Sequence, residues 1–288
     1  MTEKQDPSHF PLVTIGIPAF NSARHVRRSI ESLVGQDYPN LQIVISDDGS
    51  TDETASICDE MAMTDPRIEV HRRTHLGERH NFNAVLAAAR GPYFMWAADH
   101  DVWDSRYVSA CVAALELHPK AVLACSHTML ICEDGAELGV MDDELGIDQL
   151  RPVDRYRALI WRLRWCNAIY GVMRREAATA TGGYGSTPSP DHPVLARMAL
   201  RGSFVQLRKR SSSVARTGHR RRSRKCGCAN RGAWNRTGRT PGWQCLTART
   251  TAPFGTAISG PSSANRCGCA TNCWRSRRPR FASQNGSE

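Results

Sequence analysis

Val13-Thr-Ile-Gly-Ile-Pro-Ala-Phe-Asn21 and, one helix later, Ile43-Val-Ile-Ser-Asp-Asp-Gly-Ser-Thr-Asp52 decide how this chain reads. Each is an apolar run that stops abruptly in polar, turn-forming residues. Strands buried on both faces of a parallel sheet have this pattern, and such sheets collect their functional groups at the carboxyl ends of the strands. A site is expected there.

Outward from these runs, Asn21 or Ser22 is placed to cap a helix whose Val26, Ile30, Leu33 and Val34 share a face and which Gly35 ends. Leu41 to Ile45 is the next strand. Thr51-Asp52-Glu53 offers a cap and first-turn acids for a helix to about Met63. Ile68 to His71 reads as a strand, Glu78 to Arg90 as a helix closed by Gly91-Pro92, and Tyr93 to Ala97 as a strand. The order βαβαβαβ predicts a mostly parallel, right-handed, doubly wound sheet. Beyond it, the pattern predicts a helix over Asp104 to His118, a strand over Ala121 to Cys125 and a hairpin over Thr128 to Val140 turning at Asp134-Gly135. A helix over Arg155 to Trp165, a strand over Ala168 to Met173, a helix over Pro193 to Arg201 and a strand over Ser203 to Leu207 follow.

Pro18, Phe20 and Asn21 after the first run, and Asp47-Asp48-Gly49-Ser50 with Asp52 after the second, resemble the opening motifs of the family 2 glycosyltransferases. These are inverting enzymes that transfer a sugar from a nucleotide-sugar donor. The resemblance implies an α/β, GT-A-like fold of the nucleotide-diphospho-sugar transferase type. It also implies an organisation: an extension over 1–11, a catalytic domain over 12–207 with a nucleotide-binding half (12–125) and an acceptor half (126–207), and a tail over 208–288.

In such a domain Pro18, Ala19, Phe20, Asn21, Asp47 and Asp48 would cradle the nucleotide. Pro18 fixes the chain and Ala19 and Phe20 line a base pocket. Asp47 or Asp48 accepts hydrogen bonds from the base imide or the ribose hydroxyls, unless Asp48 only organises its loop. His75-Leu-Gly77, Asn83 and Gly91 match a further family segment whose Arg before the Asn is Phe82 here, so a diphosphate-holding role passes to Arg79 or His80. Asn83 and Asp99 complete the expected donor-binding set. Nucleotide-sugar transferases of this fold use carboxylates at a strand end to hold Mg²⁺ or Mn²⁺, which neutralises the diphosphate. Here that motif is Ala98-Asp99-His100-Asp101. Either Asp99 and Asp101, sharing a strand face that excludes His100, bind the ion, or His100 takes part and favours Mn²⁺. Inversion needs a base for the acceptor hydroxyl, and the family carries an acid before a late helix. Asp191 is the candidate, with the N-cap of the Pro193 helix as its simpler role.

The charge is divided unevenly. Residues 1–207 hold 20 Lys and Arg against 27 Asp and Glu, whereas 208–288 hold 18 against 1, Glu288. Arguments about nucleic acid or anionic membranes thus apply to the tail alone. Val214, Leu246 and Ile258 are the tail's whole complement of branched aliphatics, too few for a core, so the tail is expected to be disordered. Its Arg, Ser, Gly, Thr, Cys and Trp content is also what out-of-frame translation of a GC-rich gene yields. Cys226-Gly-Cys228 and Cys267-Gly-Cys269 are too tightly spaced for a usual zinc site. Cys58, Cys111, Cys125, Cys132 and Cys166 lie mostly in apolar segments, show no ligand spacing and read as buried reduced thiols. Without a membrane-length apolar run or a signal-peptide core, a cytoplasmic enzyme is expected, with peripheral contact at the inner membrane face through the tail.

The expected partners are a nucleotide-diphospho-sugar donor and a carbohydrate, lipid-linked or protein acceptor, with no specific nucleic acid. Two other readings compete: a catalytically impaired nucleotide-sugar binding protein, motivated by the altered acidic motif, and a protein whose basic tail tethers it to nucleic acid or anionic membrane.

Overall fold

The computed structural model describes residues 9–132, 136–141, 145, 147, 151–207 and 215–218, all within the first of two compact units, Met1–Cys226. β1 (Val13–Ala19), α1 (Val26–Val34), β2 (Leu41–Asp47), α2 (Thr54–Thr64), β3 (Ile68–Arg72), α3 (Glu78–Ala87) and β4 (Tyr93–Trp96) alternate as the sequence predicts. β5 (Asp101–Trp103), α4 (Tyr107–Leu117), β6 (Ala121–Cys125), β7 (Thr128–Ile131), β8 (Glu137–Met141), α5 (Pro152–Arg162), β9 (Val172–Arg174), α6 (Arg175–Thr179), α7 (Asp191–Arg201), β10 (Ser203–Gln206) and β11 (Ala215–Gly218) follow.

The main sheet has the order β10-β6-β9-β4-β1-β2-β3. β1 lies parallel to β2 and β4, β2 to β3, and β10 to β6, while β9 is antiparallel to both of its neighbours. This is the mostly parallel sheet expected from the alternation. All seven residues of β1 and of β2 are buried, as strands covered on both faces must be. Val13, Ile15, Ile17, Ile43, Ile45 and Met95 pack under Val26, Ile30 and Leu33 of α1 and Val108 and Cys111 of α4. On the other face Val44, Phe94 and Trp96 pack under Phe82 and Val85 of α3, Leu159 of α5 and Val194 and Leu195 of α7. Gly16 is where α3 comes closest to β1, for a Cβ there would lie 2.7 Å from Val85 Cβ.

Four expectations are corrected. Neither Asn21 nor Ser22 caps α1: the helix starts at Val26, and Asn21, at φ 49°, turns its amide toward the β2 loop. The strand expected over Ala168 to Met173 is a 3₁₀ turn at Asn167–Tyr170 followed by the short β9, because the chain must reverse to enter the sheet antiparallel. α7 starts at Asp191, which is thus a first-turn acid and not the cap. The tail, expected to have no structure from Arg208 on, contributes β11, antiparallel to β5 and parallel to β7 in a second sheet of order β5-β11-β7-β8. Backbone groups on the facing edges of β5 and β7 accept a strand without any apolar requirement on it. The rest of the tail, and the Asp134-Gly135 turn of the β7–β8 hairpin, lie outside the described residues.

The five cysteines before residue 208 are free thiols; Cys58, Cys111 and Cys125 are buried, as expected of all five, whereas Cys132 and Cys166 are only half-buried. No helix among the described residues is long and apolar enough to cross a membrane.

Candidate active site

The carboxyl ends of β1, β2 and β4 and the amino ends of α3 and α7 meet at one edge of the main sheet. β1 and β2 run in register as far as Ala19 and Asp47, which forces their following loops together. The two loops bond to each other along their length. Asp47 Oδ1 accepts from the Ser50 backbone N–H at 3.3 Å and from the Ser50 hydroxyl, while Ser50 Oγ accepts the Asn21 N–H at 2.9 Å. Asn21 Oδ1 returns the link by accepting the Thr51 N–H at 2.8 Å, and Asp52 accepts from Ala23 at 3.1 Å.

Asp48 is buried, and both of its carboxylate oxygens are used: Oδ1 accepts the Leu76 N–H at 2.9 Å and Oδ2 the Gly77 N–H at 2.8 Å. It thereby fixes the loop that precedes α3, which brings His75 to 2.9 Å from Oδ2. Gly49, at φ 73°, permits this approach, since a Cβ would sit 2.9 Å from the His75 nitrogen. The product is an aromatic shelf: Phe20 stacks on His75 with centroids 4.4 Å apart and planes at 24°, and both rings are partly exposed. Pro18 is enclosed within β1 opposite Ser46. The Ala19 side chain is likewise within the core, and it is the Ala19 carbonyl that reaches the site, accepting from Asp48 N–H at 3.0 Å and Asn81 Nδ2 at 3.1 Å. Arg79 lies exposed on the first turn of α3, 2.9 Å from His80.

β4 ends at Trp96, and the chain then turns, with the Asp101 N–H 3.4 Å from the Ala98 carbonyl. The strand alternation invoked for Asp99 and Asp101 therefore does not operate. Instead the His100 ring lies between them, Nδ1 2.9 Å from Asp99 Oδ1 and Nε2 3.9 Å from Asp101 Oδ1. The Asp99 hydrogen bond, helped by the charges of Asp101 and Asp99 and opposed by burial, raises the proton affinity of His100. Asp99 Oδ2 accepts the Phe20 N–H at 3.3 Å, which ties this turn to the shelf. Among the described residues no three His, Cys, Asp or Glu side chains converge on a point that would hold a metal ion. With the His100 ring lying between the two carboxylates, Asp99, His100 and Asp101 in this arrangement do not converge on a position for a divalent cation.

At the facing end of the site, Asn83 on α3 binds the Tyr184 main chain twice, its Oδ1 accepting the Tyr184 N–H at 2.8 Å and its Nδ2 donating to the carbonyl at 3.0 Å. The Tyr184 hydroxyl in turn donates to Asp191 Oδ1 at 2.5 Å. The Tyr184 ring packs on Phe82 at 4.3 Å and on Trp96 at 5.3 Å, so the aromatic Phe82, unexpected at that position, serves to hold Tyr184. Burial raises the proton affinity of Asp191, with the Tyr184 hydrogen bond and His192 acting the other way. Glu78 on the first turn of α3 is also raised, by burial and then by the charge of Asp191. Cys166 Sγ lies 3.4 Å from both ring nitrogens of His192.

The fold thus gathers Phe20, Asn21, Asp47, Asp48, Asp99, His100 and Asp101 at one end of the edge and Asn83 and Asp191 at the other. Asn81 and Glu78 are residues that sequence reasoning did not place at the site, whereas His75, Ser50 and Tyr184 were legible only as members of matched segments, with no role of their own. The role of Tyr184 has no local signal, since Gly182-Gly-Tyr184 resembles the family segment before Asp191 but its contact with Asn83 spans 101 residues. Ser50 was legible only as part of the Asp-Asp-Gly-Ser turn.

Residues 14–152 match the model of Glycosyl transferase family 2. An uncharacterized glycosyltransferase of Haemophilus influenzae is 30% identical over 135 residues, which cover 46% of this chain and 41% of that protein. The chondroitin synthase of Pasteurella multocida is 30% identical over 118 residues, 41% of this chain and 12% of that one. The chain thus spans less than half the length of these curated relatives. Among solved structures, Staphylococcus aureus TarS 1–349 in complex with UDP-GlcNAc aligns with a TM-score of 0.58 at 16% identity, over 74% of this chain and 60% of that chain. The mannosyltransferase of Pyrobaculum calidifontis in complex with GDP-Man and Mn²⁺ aligns with a TM-score of 0.53 at 21% identity, over 75% and 59%. At these identities the likeness establishes the fold.

Proposed function

Residues 14–152 of this chain are a family 2 glycosyl transferase domain, and on that premise we propose that the chain transfers a sugar from a nucleotide-diphospho-sugar to an acceptor hydroxyl with inversion. The observation that carries the reading is that an aromatic shelf anchored by Asp48 and a half-buried carboxylate of raised proton affinity, Asp191, stand at one sheet edge. The base rests on Phe20 and His75, while Asp47 and Asn21 hold the β1 and β2 loops that shape its pocket. Asp99 orders the turn that the diphosphate meets, and Arg79 supplies positive charge toward it.

The acceptor oxygen attacks the anomeric carbon, the bond from that carbon to the diphosphate breaks, and its electron pair leaves with the nucleoside diphosphate. Asp191 takes the hydroxyl proton. A carboxylate whose proton affinity is raised by burial is a better base than a solvated one, and Tyr184 keeps it ionised and aimed. No step here uses a metal, because the acidic turn in this arrangement does not fit one.

The His100 ring between Asp99 and Asp101 also favours a second reading, a nucleotide-sugar binding protein without turnover. A panel of UDP- and GDP-sugars separates the two. Release of nucleoside diphosphate by the wild-type chain, abolished in Asp191→Asn while donor binding persists, supports transfer. Donor binding with no release from any sugar in the panel, with or without Mn²⁺, leaves binding alone.

A further inference from the structure

The larger apolar side chains of α5 are turned away from the core. Trp161 is 86% exposed, Val153 54%, Ile160 47% and Tyr156 41%, whereas Leu159 is the one residue of the helix that is fully buried. At about 100° per residue, Val153, Tyr156, Arg157, Ile160 and Trp161 occupy an arc of roughly 140°, with Leu159 on the opposite side. They form one continuous stripe. Single exposed apolar residues are ordinary, but four large ones in register along one helix mark an interaction surface.

The charge of the helix identifies what the stripe meets. Residues 151–165 carry five arginines and a single acid, Asp154, within a stretch, 1–207, that holds 27 acids against 20 Lys and Arg. Asp154 is taken by Arg151 at 2.8 Å. Arg155 and Arg162 fasten the helix to the body, the first donating to the Ala199 carbonyl of α7 at 2.7 Å and the second to the Leu145 carbonyl at 2.9 Å, and Arg164 is likewise engaged. Arg157 differs: it is exposed within the stripe and makes no ion pair among the described residues. A second copy of the chain would set these arginines against their own equivalents, because a two-fold interface is self-complementary, and the tail is itself basic, with 18 Lys and Arg against one acid. Neither matches the charge. An anionic lipid surface does, since Trp and Tyr rings suit the boundary between headgroups and acyl chains, Val and Ile enter the acyl side, and an arginine on the same face reaches the phosphates along its apolar stem.

We propose that α5 is an interfacial helix that docks the folded domain on an anionic bilayer, with Val153, Tyr156, Ile160 and Trp161 at headgroup level and Arg157 on the lipid phosphates. The contact belongs to the domain and not to the tail, and it does not depend on the transferase reading. α5 lies antiparallel to α7: Arg155 is bonded at Ala199, while the chain leaving α5 brings Cys166 to His192, next to Asp191. Both helices cover the same face of the main sheet. The bilayer thus lies on the side of the domain that carries the candidate base.

The test is flotation of the full chain with vesicles of phosphatidylcholine alone and of phosphatidylcholine with about one-third phosphatidylglycerol. Wild type should float with the anionic vesicles and far less with the neutral ones. Ile160→Ser with Trp161→Ser should weaken anionic-vesicle binding by about tenfold or more, and Arg157→Glu by about fivefold or more. Met63→Ser, which alters a similarly exposed apolar residue on α2, should bind as wild type does. The substituted side chains are exposed, so the variants should keep the wild-type unfolding midpoint. In vesicles of brominated lipid, tryptophan quenching should be smaller in Trp161→Phe, which keeps an aromatic ring in the stripe and still floats, than in wild type. Undiminished flotation of the double Ser variant overturns the proposal and leaves the tail as the tether. Equal quenching in wild type and Trp161→Phe overturns it too. So does wild-type protein that floats with neither vesicle, whether it sediments as a monomer or self-associates through this face.

Discussion

Replacing Tyr184 by Phe removes one oxygen and tests how the candidate base is tuned. The hydroxyl donates to Asp191 Oδ1 at 2.5 Å, and it is one of two groups, with His192, that favour the ionised carboxylate against burial. Glu78 of α3 is itself raised by burial and then by the charge of Asp191, and Tyr170, raised by burial and then by the charges of Asp101 and Asp191, offers no compensating charge. A hydrogen bond to a charged group contributes about 1.5–3 kcal/mol, so its loss should disfavour ionisation of Asp191 by roughly 10- to 150-fold. The phenyl ring keeps its packing on Phe82 and Trp96, so the fold should survive. On the acid limb of the pH–rate profile for donor hydrolysis, turnover should fall by about tenfold or more, and at high pH it should approach wild type. KM for the donor should not change. Superimposable pH profiles for the two proteins would refute the positioning role of Tyr184, and an equal loss at every pH would show a structural defect instead.

Asp191→Asn should stabilise the fold in a defined window. The folded-state pKa of Asp191 is raised by burial, so its favourable contribution is complete below the unfolded carboxylate value, near 4, and is lost as pH rises through the folded value. Thermal unfolding should show the variant gaining over wild type at pH 8 and not at pH 3; a gain equal at both pH values would contradict the burial argument. Gly16→Ala places a Cβ 2.7 Å from Val85 Cβ and should cost about 1–3 kcal/mol by urea unfolding, whereas an unchanged midpoint would mean that α3 yields freely. His100→Ala removes the ring between Asp99 and Asp101, so Mn²⁺ should strengthen UDP binding more in the variant than in wild type. Equal enhancement would show that the ring does not hold the carboxylates apart.

The sequence alone determined most elements of the main sheet, β9 excepted, and the edge where the candidate site lies. Local physics governs both: uninterrupted apolar runs such as Ile43 to Ile45 can be buried only in a sheet covered on both faces, and Asn21 and Asp47 to Asp52 mark where those strands leave the core. Tertiary structure decided the duties of the residues at that edge. Asp48 spends its oxygens on Leu76 and Gly77, Ala19 offers a carbonyl and not a side chain, and Asn83 holds Tyr184, which holds Asp191. Strand alternation misplaced His100 because the chain leaves β4 at Trp96 and turns before the acids. Aliphatic content missed β11, because a strand that fills a gap between two existing edges is held by its backbone. Periodicity reports how a segment meets the core, whereas a hydrogen bond between residues 101 positions apart exists only once the chain has closed on itself.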